Sequence, residues 1–333
     1  MTTFDRDMQD SGGSSPFHEG ELSIQDRLGV RSKLDKAARR GIRDYMPDQH
    51  REFFAQLPFL VVGTLSRDSR DETCQPWASI LVNRPGFVSS PTSRQLQVSA
   101  TTFKGDPFGD NLQIGAPIGV LGIEPHSRRR NRANGIVDQV FDSGFSIQIS
   151  QSFGNCPKYI QARRLLGNSV ETLALDPPKV IRATTLDDRM QAIIGNADTF
   201  FIASSYPQNK AAADNTRDNS HGVDVSHRGG KPGFVQWDGV RNQLTVPDYF
   251  GNFFFNTLGN LILNPRAGLL FPDFESGDLL YLAVETNIIW EGPELESFDN
   301  AQRLLQMQVR EAVRVESALP WHWSAPEFSP HLD

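Results

Sequence analysis

Alternating apolar and polar residues divide most of the chain into predicted β-strands, and these strands fall into two stretches. The first stretch runs from FLVVGTLS at Phe59 to a segment that begins SIQIS at Ser146, and the second begins with TFFIASSY at Thr199. A short helix with apolar residues on one face precedes each stretch, at 47–57 and near 185–194. The pattern predicts a mainly β fold with flanking helices.

The two stretches contain similar residues in the same order. RPGFV at Arg84–Val88 corresponds to KPGFV at Lys231–Val235, and in both copies Pro and Gly stand in the order that a type II turn requires. The strands before and after each hairpin also match. Because the spacing between matching positions changes by only a few residues, as loop insertions would produce, the sequence predicts an internal duplication.

This duplication predicts two domains joined by a proline-rich linker. Pro177 and Pro178 mark the linker, because consecutive prolines stiffen a connection and interrupt helices. The polar start of the chain, rich in Gly and Ser, is expected to be partly disordered. The predicted divisions are an N-terminal arm at 1–45, a first domain at 46–172, a linker at 173–184, a second domain at 185–325 and a tail at 326–333.

Composition and charge limit the classes of function. The 33 Lys and Arg residues against 40 Asp and Glu give a net charge of −7, which argues against a broad nucleic-acid surface but allows a local basic pocket. Two cysteines without metal-ligand spacing make a disulfide framework or a zinc site unexpected. The chain has neither an apolar signal segment at its start nor an apolar run of membrane-spanning length. We therefore expect a cytoplasmic protein without a membrane partner.

Candidate binding residues in the first stretch are basic or sulfur-containing. Four arginines lie within 128–132, and on a strand at most two of them, such as Arg130 and Arg132, can point into one pocket. They either contact a phosphate or form a solvated strand end. Cys156 and Lys158 follow where a strand is predicted to enter a helix. Cys156 has no nearby His and no resolving cysteine, so packing or contact with a cofactor is favoured over a nucleophilic role.

Candidate residues in the second stretch are polar or aromatic. Asn256 and Asn260 lie inside the predicted helix FFFNTLGNLIL, where Asn is unfavourable unless its amide has a partner, so they either complete hydrogen bonds in the core or bind a ligand. The first copy lacks about two turns of this helix. Trp321 and Trp323 flank His322 near the end of the chain, where they either seal the core or lie beside a flat ligand.

In this order, VSHRGGKPGFV, FFNTLGNLILNPRAGLLF and GDLLYLAVETNIIWEG resemble the pyridoxamine 5′-phosphate oxidase-like proteins, the FMN-binding split β-barrels. The resemblance covers most of 190–323, and a weaker copy covers 47–165, including RNRANG and FGNCPKYIQ. It implies two tandem split β-barrels of the Greek-key type with helices at their ends. In that family FMN lies in the groove between two barrels, so the duplicated chain is expected to form one shared site internally, and further pairing into a homodimer stays open.

The resemblance also implies which residues bind the cofactor. The family holds the phosphate with residues of the strand before the hairpin and of the following helix. The oxidase proper has an Arg-Lys pair where this chain has Asn256 and Thr257, so pyridoxamine phosphate is not the expected substrate. The implied FMN-binding residues are Ser226, His227, Arg228, Lys231, Asn252, Asn256, Thr257 and Trp321, with Arg130, Arg132, Cys156 and Lys158 approaching from the first copy.

The expected function is therefore that of a flavoprotein. A bound flavin itself carries hydride or electron chemistry, which agrees with the lack of an evident catalytic triad, metal cluster or Gly-rich dinucleotide motif in the sequence. The leading hypothesis is an FMN-dependent oxidoreductase whose partner is a small-molecule substrate, electron donor or acceptor. The alternative is a protein that binds or delivers flavin, or haem, on the same fold without turnover.

Overall fold

The computed structural model describes residues 15–66, 74–168, 178–206 and 222–332. The predicted linker falls only partly within this range, because 169–177 lie outside the described residues, as do 1–14 of the predicted arm. The described residues are mainly β. The helices are α1 (Glu19–Arg27), α2 (Arg31–Gly41), α3 (Asp48–Ala55), α4 (Phe108–Asn111), α5 (Asp188–Asn196), α6 (Asn256–Leu263) and α7 (Pro293–Glu296).

The strands form two large antiparallel sheets, one in each half of the chain. The first sheet contains β1 (Phe59–Ser66), β2 (Gln75–Val82), β3 (Val88–Thr92), β4 (Gln95–Val98), β5 (Pro117–Glu124), β6 (Arg129–Phe141) and β7 (Gly144–Gly154). Two short strands follow, β8 (Leu165–Asn168) and β9 (Val180–Ala183). The second sheet contains β10 (Thr199–Tyr206), β11 (Gly222–Gly229), β12 (Gln236–Asp238), β13 (Gln243–Asp248), β14 (Arg266–Pro272), β15 (Leu279–Ile289) and β16 (Arg303–Val315). The last strand, β17 (Trp321–Trp323), pairs with β8.

Both large sheets have the same strand order. The first runs β2-β1-β5-β6-β7-β4-β3, and the second runs β11-β10-β14-β15-β16-β13-β12. Counted from the first strand of each sheet, the two orders are identical. The strand β9, which lies within the predicted linker, pairs with β16 beside the second sheet.

Three apolar cores hold these sheets, one inside each half and a third between the halves. The third core contains residues of both sheets, including Val61 and Trp77 from the first and Phe201, Leu270 and Tyr281 from the second. Strands β1 and β10 are therefore covered on both faces. This explains the apolar runs at 59–62 and 200–203, because a strand buried on one face only would alternate throughout.

The halves approach each other closely at two glycines in corresponding positions. Gly119 on β5 pairs with the middle of β1, and Gly268 on β14 pairs with the middle of β10. A Cβ atom on Gly119 would lie 2.5 Å from the carbonyl oxygen of Val223, and one on Gly268 would lie 2.2 Å from that of Pro76. Each half thus presents the same position to the other, as expected for two units related by an approximate two-fold axis.

Two predicted helices are absent from the described structure. The segment after β7 was expected to enter a helix, but Tyr159 has a left-handed backbone (φ 64°), and Ala162 forms a bridge with Glu327 instead. The sequence ELESFDNAQRLLQMQ at 294–308 also predicts a helix. Only α7 forms there, and β16 begins at Arg303, because pairing with β13 and β15 buries its apolar side chains.

The N-terminal arm packs on the second half through α1. Gly20 of α1 and Gly259 of α6 lie against each other, and a Cβ on Gly20 would lie 2.2 Å from the Gly259 carbonyl oxygen. His18 is buried and caps α1 by accepting a hydrogen bond from the Gly20 amide. In the described ranges, no helix has the length and apolar character to cross a bilayer.

The close approach of the sheets makes Gly268 a test of how the halves dock. We expect Gly268→Ala to lower the free energy of unfolding by about 2 kcal/mol or more, because the new methyl group overlaps the backbone of β2. Urea denaturation measures the change. Gly195→Ala is the matched control, since Gly195 is exposed on α5 and has open space around its Cβ direction. Equal stability of the two variants would contradict this packing.

Candidate functional site

A cleft of about 1000 Å³, counting space open to solvent, lies between the two halves. The first half contributes β6 and the segment that follows β7. The second half contributes β11, the end of β13, the loop 249–255, the start of α6 and the start of β16. The cleft is thus formed by elements that are far apart in the sequence and meet only when the halves dock.

The structure brings together ten of the twelve residues that the sequence predicts as a binding site. The residues that line the cleft are Arg130, Arg132, Cys156, Lys158, Ser226, His227, Arg228, Asn252, Asn256 and Thr257. Lys231 is exposed at the turn after β11 and does not line it. Trp321 also lies elsewhere, because its ring is buried in the core between the halves, where it packs on Phe59 (5.2 Å between ring centroids) and Trp323 (5.5 Å).

Arg132 connects the halves at the base of the cleft. Its Nη1 donates to Asp224 Oδ1 at 2.8 Å, and its Nη2 donates to the Ser226 hydroxyl. Asp224 also accepts hydrogen bonds from the amides of Asn134 (2.7 Å) and Asn260 (3.0 Å). For Asn260, this is the core hydrogen bonding that an Asn inside a helix requires. The contacts fix the Arg132 guanidinium beside Ser226.

Arg130 holds the segment after β7 against β11. Its Nε donates to the Cys156 carbonyl oxygen at 2.7 Å, and its Nη1 donates to the carbonyl oxygen (3.2 Å) and Nδ1 (3.3 Å) of His227. The pKa of Arg130 is lowered to about 10, mainly by burial and with smaller contributions from Arg132 and Arg228, while Cys156 opposes the decrease. Arg130 therefore remains a cation at neutral pH.

His227 is held neutral by its surroundings. Burial lowers its pKa well below the usual value, and Arg130, Arg228 and Arg163 add to this effect. Because a guanidinium can only donate, the contact with Arg130 requires an unprotonated Nδ1, so the proton of the neutral ring lies on Nε2. An uncharged His227 leaves the positive charge of the cleft to the arginines and Lys158.

Asp248 lies between two further arginines. It accepts a hydrogen bond from Arg228 Nη1, and Arg303 Nε lies 3.4 Å from its Oδ2. Arg303 is only 3% exposed, and burial lowers its pKa. Its Nη1 is buried without a hydrogen-bond partner among the described residues. The guanidinium packs on the rings of Phe255 (5.2 Å to the centroid) and Trp290 (5.4 Å), and a buried guanidinium nitrogen without an acceptor is costly.

The cleft is therefore strongly positive although the protein is negative. Its lining contains five cationic side chains, Arg130, Arg132, Lys158, Arg228 and Arg303, against one carboxylate, Asp248. The neighbouring Asp224 adds a second carboxylate through Arg132. A net positive, partly dry cleft attracts and holds an anion.

The start of α6 adds a second feature suited to an anion. No side chain caps this helix at its N-cap residue, Phe255. The N-terminal end of a helix attracts negative charge, and its first residues, Asn256, Thr257 and Leu258, line the cleft. Phe253 and Phe255 both have left-handed backbones (φ 61° and 62°), which is unusual for bulky residues. Such strain is concentrated at binding sites in proteins.

Aromatic rings form the wall beside this charged region. Tyr159 packs on Tyr249 with 5.3 Å between ring centroids, and Phe253 contacts Phe250 at 4.7 Å and Phe255 at 5.8 Å. The Tyr159 hydroxyl donates to the Phe250 carbonyl oxygen at 2.9 Å and joins the wall across the two halves. The cleft thus combines aromatic surface with cationic groups.

The arm reaches the cleft through Glu21. Its carboxyl accepts hydrogen bonds from the Asn256 amide and from the His18 backbone. Burial raises the pKa of Glu21 well above its usual value, and the nearby Asp224 raises it further. The Asn256 side chain is thus engaged by the arm, which leaves its backbone amide and the Thr257 hydroxyl, a donor to Ser226 at 3.0 Å, on the cleft side.

Sequence reasoning missed Arg303, Asp248 and the aromatic wall. Arg303 fell in the segment expected to be helical, so the direction of its side chain could not be inferred. The wall had a visible signal, because five of the seven residues at 249–255 are aromatic without a strand-like alternation. Cys156 is half-buried and contributes its carbonyl oxygen to Arg130. Over the described ranges, no group of three His, Cys, Asp or Glu residues is arranged to hold a metal ion.

Comparisons with known proteins give only weak matches. No protein-family model matches the chain, and no curated protein matches it. Among solved structures, HupZ of Group A Streptococcus is similar with 11% identity, a TM-score of 0.28 and coverage of 38% of this chain and 90% of that chain. A candidate pyridoxamine 5′-phosphate oxidase of Lactobacillus delbrueckii has 11% identity, a TM-score of 0.29 and coverage of 40% and 98%. Likenesses this weak do not assign the chain to a family.

The environment of His227 predicts its titration. We expect its ring to stay neutral, with the proton on Nε2, when the pH is lowered from 7.5 to 5.5, because burial and the arginines oppose its charge. ¹⁵N NMR of the imidazole nitrogens measures this. In the variant Arg130→Gln the pKa of His227 should rise, because a repelling charge is removed. A wild-type His227 that titrates near its ordinary pKa of about 6.5 would contradict the assignment.

Proposed function

We propose that the cleft binds FMN and that the chain is an FMN-dependent oxidoreductase acting on a small molecule. The observation that carries this proposal is the combination, in one cleft, of five cationic side chains and an uncapped helix start with an adjacent aromatic wall. FMN has matching parts, a phosphate monoester at one end and a flat ring at the other.

The phosphate of FMN would lie at the start of α6. The donors available there are the backbone amides of α6, the hydroxyls of Ser226 and Thr257, and the guanidinium groups of Arg228 and Arg303. Arg303 Nη1 would gain the acceptor that it lacks within the described structure. A dianionic phosphate would also offset the excess positive charge. The fit is therefore both geometric and electrostatic.

The flavin ring would lie along the aromatic residues that line the cleft, which are Tyr159, Tyr249, Phe253 and Phe255. When bound, the flavin supplies hydride or electron transfer, and the protein binds and orients it. Lys158, whose ammonium lies 4.8 Å from the Phe250 ring centroid, is at the same wall and could orient an anionic substrate.

We also propose that the two halves are tandem split β-barrels that mimic a dimer. The identical strand orders and the reciprocal contacts of Gly119 and Gly268 support this. A site between the halves then combines what two subunits would provide in a homodimer. Association of two whole chains remains a separate prediction.

A second candidate function is binding of flavin or haem without turnover. This candidate is favoured because the carboxylate and the imidazole of the cleft already have partners within the protein. Asp248 is paired with Arg228, and His227 accepts a hydrogen bond from Arg130. The absorption spectrum of the purified protein, with mass identification of what denaturation releases, separates flavin from haem. Rapid reduction of bound flavin by a nicotinamide, followed by reoxidation, would support the enzyme, whereas inert flavin would support the carrier.

Arg303 provides a test of the phosphate site. We expect Arg303→Met to weaken FMN binding by about 2 kcal/mol, roughly thirty-fold, while riboflavin affinity stays nearly unchanged, because only FMN has the phosphate. Fluorescence titration with both flavins measures the two affinities.

The matched control is Arg310→Met on the same strand, where Arg310 is exposed and paired with Glu285. Equal losses of FMN and riboflavin affinity in Arg303→Met would mean damage to the fold rather than loss of a phosphate contact. Tighter binding of FAD than of FMN to the wild type would overturn the choice of cofactor.

The shared site predicts one FMN per chain and coupling between the halves. We expect calorimetric titration to give a stoichiometry of one. In a double-mutant cycle of Lys158→Met and Thr257→Val, the two losses of FMN affinity should not be additive, because one ligand joins both residues. Two flavins per chain, or additive losses, would show that each half binds its ligand independently.

A further inference from the structure

The identical strand orders give each residue of the cleft a counterpart in the other half. Ser226 pairs with the fourth residue of β10, and Ser79 pairs with the fourth residue of β1. Arg132 of β6 pairs with Leu121, and Tyr281 of β15 pairs with Leu270, the same position in the other sheet. The structure therefore has a second region that corresponds to the cleft. In it, Ser79 has the position of Ser226, and Tyr281 has the position of Arg132.

The helices α4 and α6 are counterparts as well. Asn111 of α4 donates to the Thr64 hydroxyl at 3.2 Å, and Asn260 of α6 donates to the Ser204 hydroxyl at 3.1 Å. Thr64 and Ser204 are both the sixth residues of the first strands of their sheets. The two Asn side chains thus anchor their segments in the same way. Phe108 lies three residues before Asn111, and Thr257 lies three residues before Asn260. The backbone amides of Phe108 and Thr257 are therefore counterparts.

In the first half, these counterpart groups hold a carboxyl group of the chain itself. Asp106 Oδ1 accepts hydrogen bonds from the Ser79 hydroxyl at 2.6 Å and from the Phe108 amide at 2.8 Å. Its Oδ2 accepts from the Tyr281 hydroxyl, which the other half contributes, at 2.7 Å. Asp106 is 6% exposed, and Ser79 and Tyr281 are fully buried. The three donors belong to three different elements and converge on one carboxyl group.

Three polar residues of the cleft have apolar counterparts in this place. Leu279 stands at the position of Arg130, Ile80 at that of His227 and Leu81 at that of Arg228, as the strand pairing defines. All three replacements are buried apolar residues. The counterpart region is thus closed and dry, apart from the single carboxyl group and its donors.

We infer that Asp106 is a built-in substitute for a bound anion, and that its position is a small-carboxylate site that the chain fills itself. The inference does not depend on which ligand the cleft binds, because the Asp106 contacts lie wholly within the protein. It explains why the first half keeps a closed structure without the long helix and the cations of the second half. It also leaves the cleft beside α6 as the place for an external anion.

The variant Asp106→Gly tests this, because it removes the side chain and leaves a space that formate or acetate can occupy. We expect the variant to unfold at a lower temperature than the wild type. Sodium formate or acetate should raise its Tm by about 3 °C relative to sodium chloride at equal ionic strength, through binding to the folded state alone. The wild type should respond equally to the three salts. No difference between formate, acetate and chloride in the variant would overturn the proposal.

Adding Ser79→Ala to Asp106→Gly should weaken the response to formate, because one of the three donors is lost. If Asp106→Gly folds only in formate or acetate, that dependence supports the proposal.

The single variant Ser79→Ala covers the case in which Asp106→Gly does not fold in any salt. Burial raises the Asp106 pKa to about 6 in the wild type, against the effect of its donors. Loss of the Ser79 donor should raise this pKa further, measured by ¹³C NMR of the carboxyl carbon, and an unchanged value would overturn the proposal.

Discussion

The apolar contact between the two halves is the constraint on which the rest of the structure depends. It buries the outer faces of β1 and β10 and brings the glycines of β5 and β14 against the opposite backbone. Each large apolar side chain buried there contributes roughly 1.5–3 kcal/mol, so the contact is strong enough to fix one relative placement of the halves. The cleft exists only in that placement, because its two walls belong to different halves. Docking of the halves and formation of the site are therefore one event.

The same contact forces positive charge into a partly dry region. A buried guanidinium group loses hydration and needs acceptors in return. Asp224 supplies them for Arg132, and Asp248 supplies them in part for Arg228 and Arg303. The remaining positive charge is uncompensated within the described residues. An anion bound there would stabilise both the arginines and the contact between the halves, since it would touch both.

The sequence predicts the β fold and most of the residues that line the cleft. It does not predict the pairing of every strand or the direction of every side chain. Strand alternation and the repeated PGFV hairpin depend on local patterns in the sequence. The repeat indicates two similar units, with Arg130 in the first and Ser226 in the second. The failures involve long-range pairing. β16 looks helical around Arg303 because its apolar spacing suits a helix, and only its partners β13 and β15 decide otherwise. Trp321 could equally seal a core or face a ligand, and that choice depends on Phe59, 262 positions away.

The docking of α1 on α6 has a consequence for how the protein is made. Glu19–Arg27 leaves the ribosome before its packing partner Asn256–Leu263, which is synthesised more than 200 residues later. The apolar face of the first sheet that packs on the second half also stays uncovered until the second half is synthesised. Contacts of such high sequence separation form slowly, and exposed apolar surface favours aggregation in the interval. The nascent first half is thus the stage of biosynthesis at which this chain most needs a chaperone.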